Sequence, residues 1–577
     1  LADERLTPEL RIVLILLVLG AALRLAFLGS NPPGLFRDEA EKVYTAWSLG
    51  RTGGYHHLVA LRGPGGGSVP AFEWVGPPFI VDAYGSHISA LYHWLDVPFA
   101  LALGPTRWGA RLPAALVGFL TLLVVWRYVR RAFDAEVAVL AVFFLAISPW
   151  HVLFSRWAQQ GIFVPLWLAL ALWLFERGRL GAGRPWWLAG VALGLAFYSY
   201  APARLAVPLF LAALAWAHRQ DIVRNRRAAL VALLAFLITV LPTALWLSLH
   251  HGEGFARWSH VSIFGMPGAS PLTVLTQFIA NYLRHLSVPF LFLWGDANPR
   301  HSIPGFGQMH WIELPGLLAA LLIALLQRRP QDRTLALWFL LAPVAPSLTL
   351  ESPHALRDIM ALPAAHILSA AGTAAIFRGL VRWAHAALPR RLPLRNLQAW
   401  VRTNIDPIRM TGLLAGGVTA FLFTLQLFIR YPALSAAHWD TEVGAALRAT
   451  DVYVRAGHPA FVTSGSPGSE LLYLPTHLRV ALRTDPASLG RVAPYLPRGW
   501  NQCGSGPTSP EAVWEMTGGD SGHGVFLTAP TELPGEPFET FWSPSNRFTP
   551  APRILWEIHV QGETTSPEAR QLHSAFP

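Results

Sequence analysis

Long apolar runs, each closed by a short polar stretch, set the rhythm of this chain up to about residue 430. They fall near 11–28, 110–126, 136–149, 162–175, 187–200, 205–217, 229–249, 311–327, 334–350, 359–377 and 411–429. The longer ones suffice, as helices, to cross a hydrocarbon core about 30 Å thick. A transmembrane barrel would instead show segments of about ten residues that alternate apolar and polar. The pattern predicts a polytopic α-helical membrane protein with about eleven transmembrane helices.

Two connections are long, about 29–109 and about 250–310. Within the first, residues 38–49 read as an interfacial helix whose first turn favours acidic side chains. Beyond 430 the chain gains Gly, Pro, Ser and Thr and has no further spanning run. There 442–454 predicts a helix, and 460–463, 471–474, 525–527 and 554–558 predict short strands. The expected organisation is a membrane domain over 1–430 and a soluble α/β domain over 431–577.

Composition agrees with the membrane assignment: 53% of residues are hydrophobic, only 14% are charged, and mean hydropathy is positive at +0.37. The net charge of +11 does not signal nucleic acid, because the basic residues are mostly arginines in short loops between apolar runs. Alternate loops carry Arg127, Arg130 and Arg131; Arg177, Arg179 and Arg184; Arg219, Arg224, Arg226 and Arg227; Arg328, Arg329 and Arg333; and the stretch 378–409. By the positive-inside rule these loops are cytoplasmic. The other loops, and the tail, then open on the extracytoplasmic face of the plasma (inner) membrane. The lone Cys503 excludes an internal disulfide. The run at 11–28 is too long for a secretory signal and lacks a small-residue cleavage site, so it reads as a retained helix.

The outer face gathers the candidate chemistry. Asp38 and Glu39 follow the first helix; Glu73, Asp82 and His87 lie later in the same loop; Arg156 follows the third helix. Tyr198, Tyr200 and Arg204 precede the sixth, and His354 and Arg357 precede the tenth. Ionisable groups at a membrane boundary are costly to hold and commonly functional. Carboxylates facing arginines suit a reaction in which an acid deprotonates an acceptor hydroxyl or amine while guanidinium groups hold a phosphate leaving group. Competing readings are plain: Asp38 and Glu39 as hydrated charges at a helix end, Arg156 as a headgroup anchor, and Tyr198 and Tyr200 as an aromatic belt. Asp82 with His87 offers two ligands for a divalent metal without a motif, and His250, His251 and Glu253 offer less. The stretch 63–67 is glycine-rich but lacks the Gly-Lys-Ser/Thr of a phosphate loop.

An acidic pair after the first helix, a long first loop, Gly-Pro-Thr-Arg-Trp-Gly-Ala-Arg-Leu-Pro at 104–113, a Pro-Trp-His to Ser-Arg turn at 149–156, and Pro-His-x-x-Arg at 353–357 occur in this order. Together they resemble glycosyltransferase family 39, the protein O-mannosyltransferases and aminoarabinose transferases of the GT-C fold. The resemblance implies transfer of a sugar from a polyprenyl-phosphate donor with inversion. It makes Asp38 the general base, Glu39 its orienting partner or an acceptor contact, and Arg156, Arg204 and Arg357, with His354, the donor-phosphate ligands. Asp82 and His87 become possible acceptor or metal contacts. The expected partners are the lipid donor, membrane lipids and an unidentified acceptor, with no nucleic acid and no firmly implied cofactor beyond a possible divalent metal. Rivals are a transporter or flippase of lipid-linked sugars, which would place helix breaks and charges at mid-bilayer, a non-enzymatic scaffold, and a ligase using diphosphate-linked glycans.

Overall fold

The computed structural model describes residues 7–62, 68–83, 86–179, 185–387, 407–441, 443–456, 460–462, 474–489, 492–494, 500–502, 524–528, 539–542 and 554–561. The glycine-rich stretch 63–67, Cys503 and most of the basic stretch 378–409 lie outside these residues. The chain divides into two compact units, Leu1–Ala26 with Ala114–Phe428, and Phe27–Pro113 with Ile429–Pro577.

The first unit is helical. The apolar runs are largely helical, beginning with Pro8–Leu25 and ending with Pro407–Leu425, but the run at 334–350 is divided between Pro330–Leu341 and the short helix Val344–Ser347. Among the described residues five helices are long and apolar enough to cross a membrane by length and composition, including Arg107–Ala132, Gln160–Arg179 and Arg226–Leu249, and four shorter apolar helices accompany them. The protein is membrane-embedded. Helix Arg226–Leu249 turns Leu230, Leu234, Leu237, Ile238, Leu241 and Leu245 outward, the surface a lipid-facing helix presents. Where helices pack, glycine lets backbones touch. A Cβ on Gly372 would lie 1.8 Å from the Gly316 carbonyl oxygen, and one on Gly190 would lie 2.0 Å from that of Ala232. Thr7 caps the first helix by accepting from Leu10 N at 3.3 Å, with Pro8 at its first position.

The second unit joins the first loop to the tail. The tail shares a sheet with the loop: strand Tyr55–Arg62 pairs antiparallel with Ser68–Val75, and the latter pairs with Val492–Pro494 through Ala71, Phe72 and Glu73. Helix Arg37–Thr52 packs here too, with Tyr44 donating to Thr484 O at 2.9 Å and Arg51 reaching Asp485 at 2.7 Å. A second, five-stranded sheet has Ala460–Val462 at its parallel centre, flanked by Trp500–Gln502 and Gly524–Thr528, then Ile554–Gln561 and Glu539–Trp542 running antiparallel. The helix expected at 442–454 is Val443–Arg455. At 471–474 the strand expectation fails where it can be followed: Leu474 opens the helix Leu474–Ala481, which buries Leu474, Leu478 and Ala481 against helix Val443–Arg455 at i, i+4 spacing.

Candidate active site

In the second unit the acidic pair splits into two environments. Helix Arg37–Thr52 starts after Phe36, whose N–H donates to Glu39 Oε2 at 3.1 Å, so Glu39 satisfies one orphan donor of its own helix end. The same carboxylate is gripped by Arg111, with Nε to Oε1 at 2.9 Å and Nη2 to Oε2 at 2.8 Å. Both side chains are fully buried. Arg111 spends its remaining donors on the carbonyls of Leu28 at 3.0 Å, Pro32 at 2.8 Å and Gly34. A bidentate, fully hydrogen-bonded buried pair is what allows two charges to be held away from water. Glu39 thus ties the first turn of the helix that carries Asp38 to Arg111. Asp38 is only half-buried. Arg111 lies inside the 104–113 motif, and sequence reading quoted that motif without assigning the arginine a task. The motif's shape has local causes as well: Gly104 has φ +71°, and a Cβ on Gly109 would meet the Gly104 carbonyl at 2.6 Å.

Further along the same helix, Glu41 Oε1 lies 3.2 Å from His93 Nε2 and accepts from Thr45 Oγ1 at 3.0 Å. Burial pushes the Glu41 carboxyl up, but His93, with lesser help from Lys42 and Thr45, brings it below the usual carboxylate range. Asp96, buried on helix Leu91–Leu103 without a hydrogen-bond partner for either oxygen among the described residues, is driven well above that range by desolvation. Asp82 and His87 do face each other, as cross-strand partners of the hairpin Ile80–Ala83 and Ser86–Ser89, and Asp82 Oδ2 lies 3.8 Å from His57 Nδ1.

The first unit holds the arginines. Arg156 is completely buried and donates to the carbonyls of Leu23 at 2.7 Å and Ala26 at 2.8 Å, two of the acceptors that the end of helix Pro8–Leu25 leaves unpaired, while its guanidinium stands 5.2 Å from the Phe428 ring centre. Two of its N–H donors thus hold a helix end. Arg204, at the start of helix Ala203–Ala217, is half-buried; its Nε has no hydrogen-bond partner among the described residues. Arg357 and His354 come together as expected. Arg357 Nη1 donates to Thr349 Oγ1 at 2.9 Å, and Glu351 Oε2 lies 3.4 Å from both Arg357 Nη2 and His354 Nε2.

The Ser148-Pro149-Trp150-His151 turn anchors this segment. Ser148 caps helix Pro149–Phe154 by accepting from His151 N at 3.1 Å, and Trp150 Nε1 reaches the carbonyl of Ala355 at 3.0 Å. His354 is nearly sealed, its N–H donating to His285 Nε2 at 3.1 Å and its ring tilted over that of His301 with centroids 4.5 Å apart. Burial, then His301, Arg357 and His285, hold the His354 imidazole well below its usual range, and burial takes His285 down to about 4. Sequence reading missed His285, Asp296 and His301, which reach this cluster from the long second loop.

Comparison with known proteins follows the same lines. Residues 90–246 match the family described as dolichyl-phosphate-mannose-protein mannosyltransferase, and no curated protein sequence matches the chain. Among solved structures the chain is similar to ArnT from Cupriavidus metallidurans in the apo state, at 15% identity and a TM-score of 0.51, covering 95% of this chain and 97% of that one. It is similarly close to the same protein bound to undecaprenyl phosphate, at 14% identity, TM-score 0.51 and the same coverage. The chain shares the fold of these ArnT structures, and the match over 90–246 agrees with the resemblance to family 39 carried by its motifs.

Proposed function

We propose that this protein transfers a sugar from a polyprenyl-phosphate donor to an extracytoplasmic acceptor, a lipid, glycan or protein, with inversion at the anomeric carbon. The observation that carries the reading is the division of labour in the acidic pair: Glu39 is clasped on all sides, and the half-buried Asp38 beside it stands on a helix whose position that clasp fixes. A carboxylate held this way has the low reorganisation cost that a general base needs. As the acceptor oxygen or nitrogen attacks the anomeric carbon, its proton passes to Asp38 and the bond from carbon to phosphate oxygen breaks. The electron pair leaves with polyprenyl phosphate, a leaving group that needs no proton.

Arg204 and Arg357 are assigned to the phosphate. Among the described residues Arg204 Nε has no hydrogen-bond partner, and Arg357 is only half-buried, donating to the Thr349 hydroxyl with longer contacts to Glu351. Arg156 and His354 support from behind, through a helix end and a loop. In this reading the eleven apolar helices span the inner membrane, the arginine loops are cytoplasmic, and both the first loop and the tail lie outside. ArnT's structure with undecaprenyl phosphate supports the donor class.

The test is release of polyprenyl phosphate by purified protein supplied with candidate polyprenyl-phosphate sugars. Asp38→Asn is expected to lower turnover by about 10²- to 10⁴-fold with an unchanged melting temperature. Full turnover in a well-folded Asp38→Asn protein refutes the base.

A further inference from the structure

We infer that Asp296, His301 and His354 form a binding site for a divalent transition-metal ion of the zinc class, which ties the second long loop to the segment carrying Arg357. The inference is independent of the reaction proposed above. All three side chains are buried, with exposures of 7%, 6% and 5%, and one ligand atom from each lies within 4.8 Å of the others. Two imidazole nitrogens and a carboxylate oxygen are a ligand set that suits zinc. Such a set converging from two distant stretches of chain is uncommon as mere packing, since buried ionisable groups must otherwise pair off by hydrogen bonds.

That pairing is incomplete in the trio. His301 Nδ1 stands 3.3 Å from Asp296 Oδ2, within reach of an ion pair, yet it is a buried nitrogen without a hydrogen bond among the described residues. A cation placed among the three would satisfy that nitrogen and give the carboxylate its counter-charge. The surroundings hold the three groups in place as outer-shell contacts do around a metal. Asp296 Oδ1 accepts from Asn298 N at 2.9 Å and Oδ2 from Ala355 N at 2.8 Å, so the acid is fixed to the residue next to His354. His285 donates from Nδ1 to Asn281 O at 2.8 Å, which leaves its Nε2 to accept from the His354 N–H. Glu351, exposed and 3.4 Å from His354 Nε2, is the nearest side chain able to complete four ligands; water is the alternative.

The measurement uses the full-length protein in detergent, stripped with chelator, then titrated with Zn²⁺ against a chromophoric chelator. One tightly bound equivalent is expected, and His301→Gln together with Asp296→Asn should weaken it by about 100-fold or more. The same affinity in that double variant overturns the site, as does the absence of stoichiometric binding to wild type. Should the variant not fold, zinc K-edge absorption of wild type loaded with one equivalent decides the matter. A first shell containing two imidazoles supports the site; a shell without histidine scattering overturns it.

Discussion

Two clusters of charge in this molecule use the same residue types to opposite ends. In the second unit, the Glu39 and Arg111 pair closes on itself: every carboxylate oxygen and most guanidinium donors have partners, and neither side chain is exposed. In the first unit, Arg204 keeps an unpaired nitrogen and Arg357 is half-buried beside an exposed Glu351. Closed charges hold architecture, because removing one partner strands the other in a low-dielectric interior. Open ones retain capacity for a ligand. Closure, rather than residue type or position at the membrane surface, separates scaffold from chemistry here.

The strongest way to break this comparison is Arg111→Leu. It leaves Glu39 buried and unpaired and also strands three loop carbonyls, so a loss of about 3–5 kcal/mol is expected, enough to remove most folded protein at 37 °C. Yield and thermal melting in detergent report it. Adding Glu39→Leu to that variant should restore part of the stability without restoring the anchoring of the carbonyls. Recovery in melting without recovery of turnover would mark the clasp as the device that positions Asp38.

Arg204→Gln probes the open side. No ion pair is lost among the described residues, so melting should shift little. The affinity for a polyprenyl-phosphate donor should fall by about 10- to 100-fold, the scale of one charge-assisted hydrogen bond of roughly 1.5–3 kcal/mol. A large fall in stability with unaltered donor affinity would move Arg204 to the closed class.

The same distinction explains what could be read in advance. Hydropathy and periodicity are local, and the apolar runs found from them are largely helical, that at 334–350 being divided between two helices; the interfacial helix expected at 38–49 is Arg37–Thr52. The strands Ala460–Val462, Gly524–Thr528 and Ile554–Gln561 also lie where alternation put them. Sequence could not show which acid of the pair was closed, because Arg111 is 72 residues from Glu39. Nor could it show the cluster around His354, since Asp296 and its neighbour Ala355 are 59 residues apart. Of the strand expected at 471–474 only Leu474 lies within the described residues, and it opens a helix because the apolar i, i+4 face of Leu474–Ala481 packs on another helix.

The smallest effect, and the most selective, is expected at Asp440. This half-buried acid of the second unit accepts from Arg37 N at 2.9 Å and lies 3.4 Å from His477 Nε2. Burial raises its pKa, but His477 and then Arg37 outweigh that and hold it below the usual carboxylate value. An acid whose folded pKa is depressed contributes stability that is complete above its unfolded value of about 3.9 and is lost as pH falls through the folded one. Wild type should therefore melt progressively lower as the medium is taken from pH 5 to pH 3. Asp440→Asn removes the proton-linked part. Residue 440 has φ +46°, a left-handed conformation that Asn tolerates well, so the substitution tests charge without adding backbone strain. The variant should melt below wild type at pH 5, and the gap should narrow towards pH 3. Part of the acid sensitivity will survive in it, because Glu41, held down by His93, carries the same sign. A gap that stays constant across this window would mean that Asp440 acts through geometry alone, and that closed charges in this unit owe their effect to shape rather than ionisation.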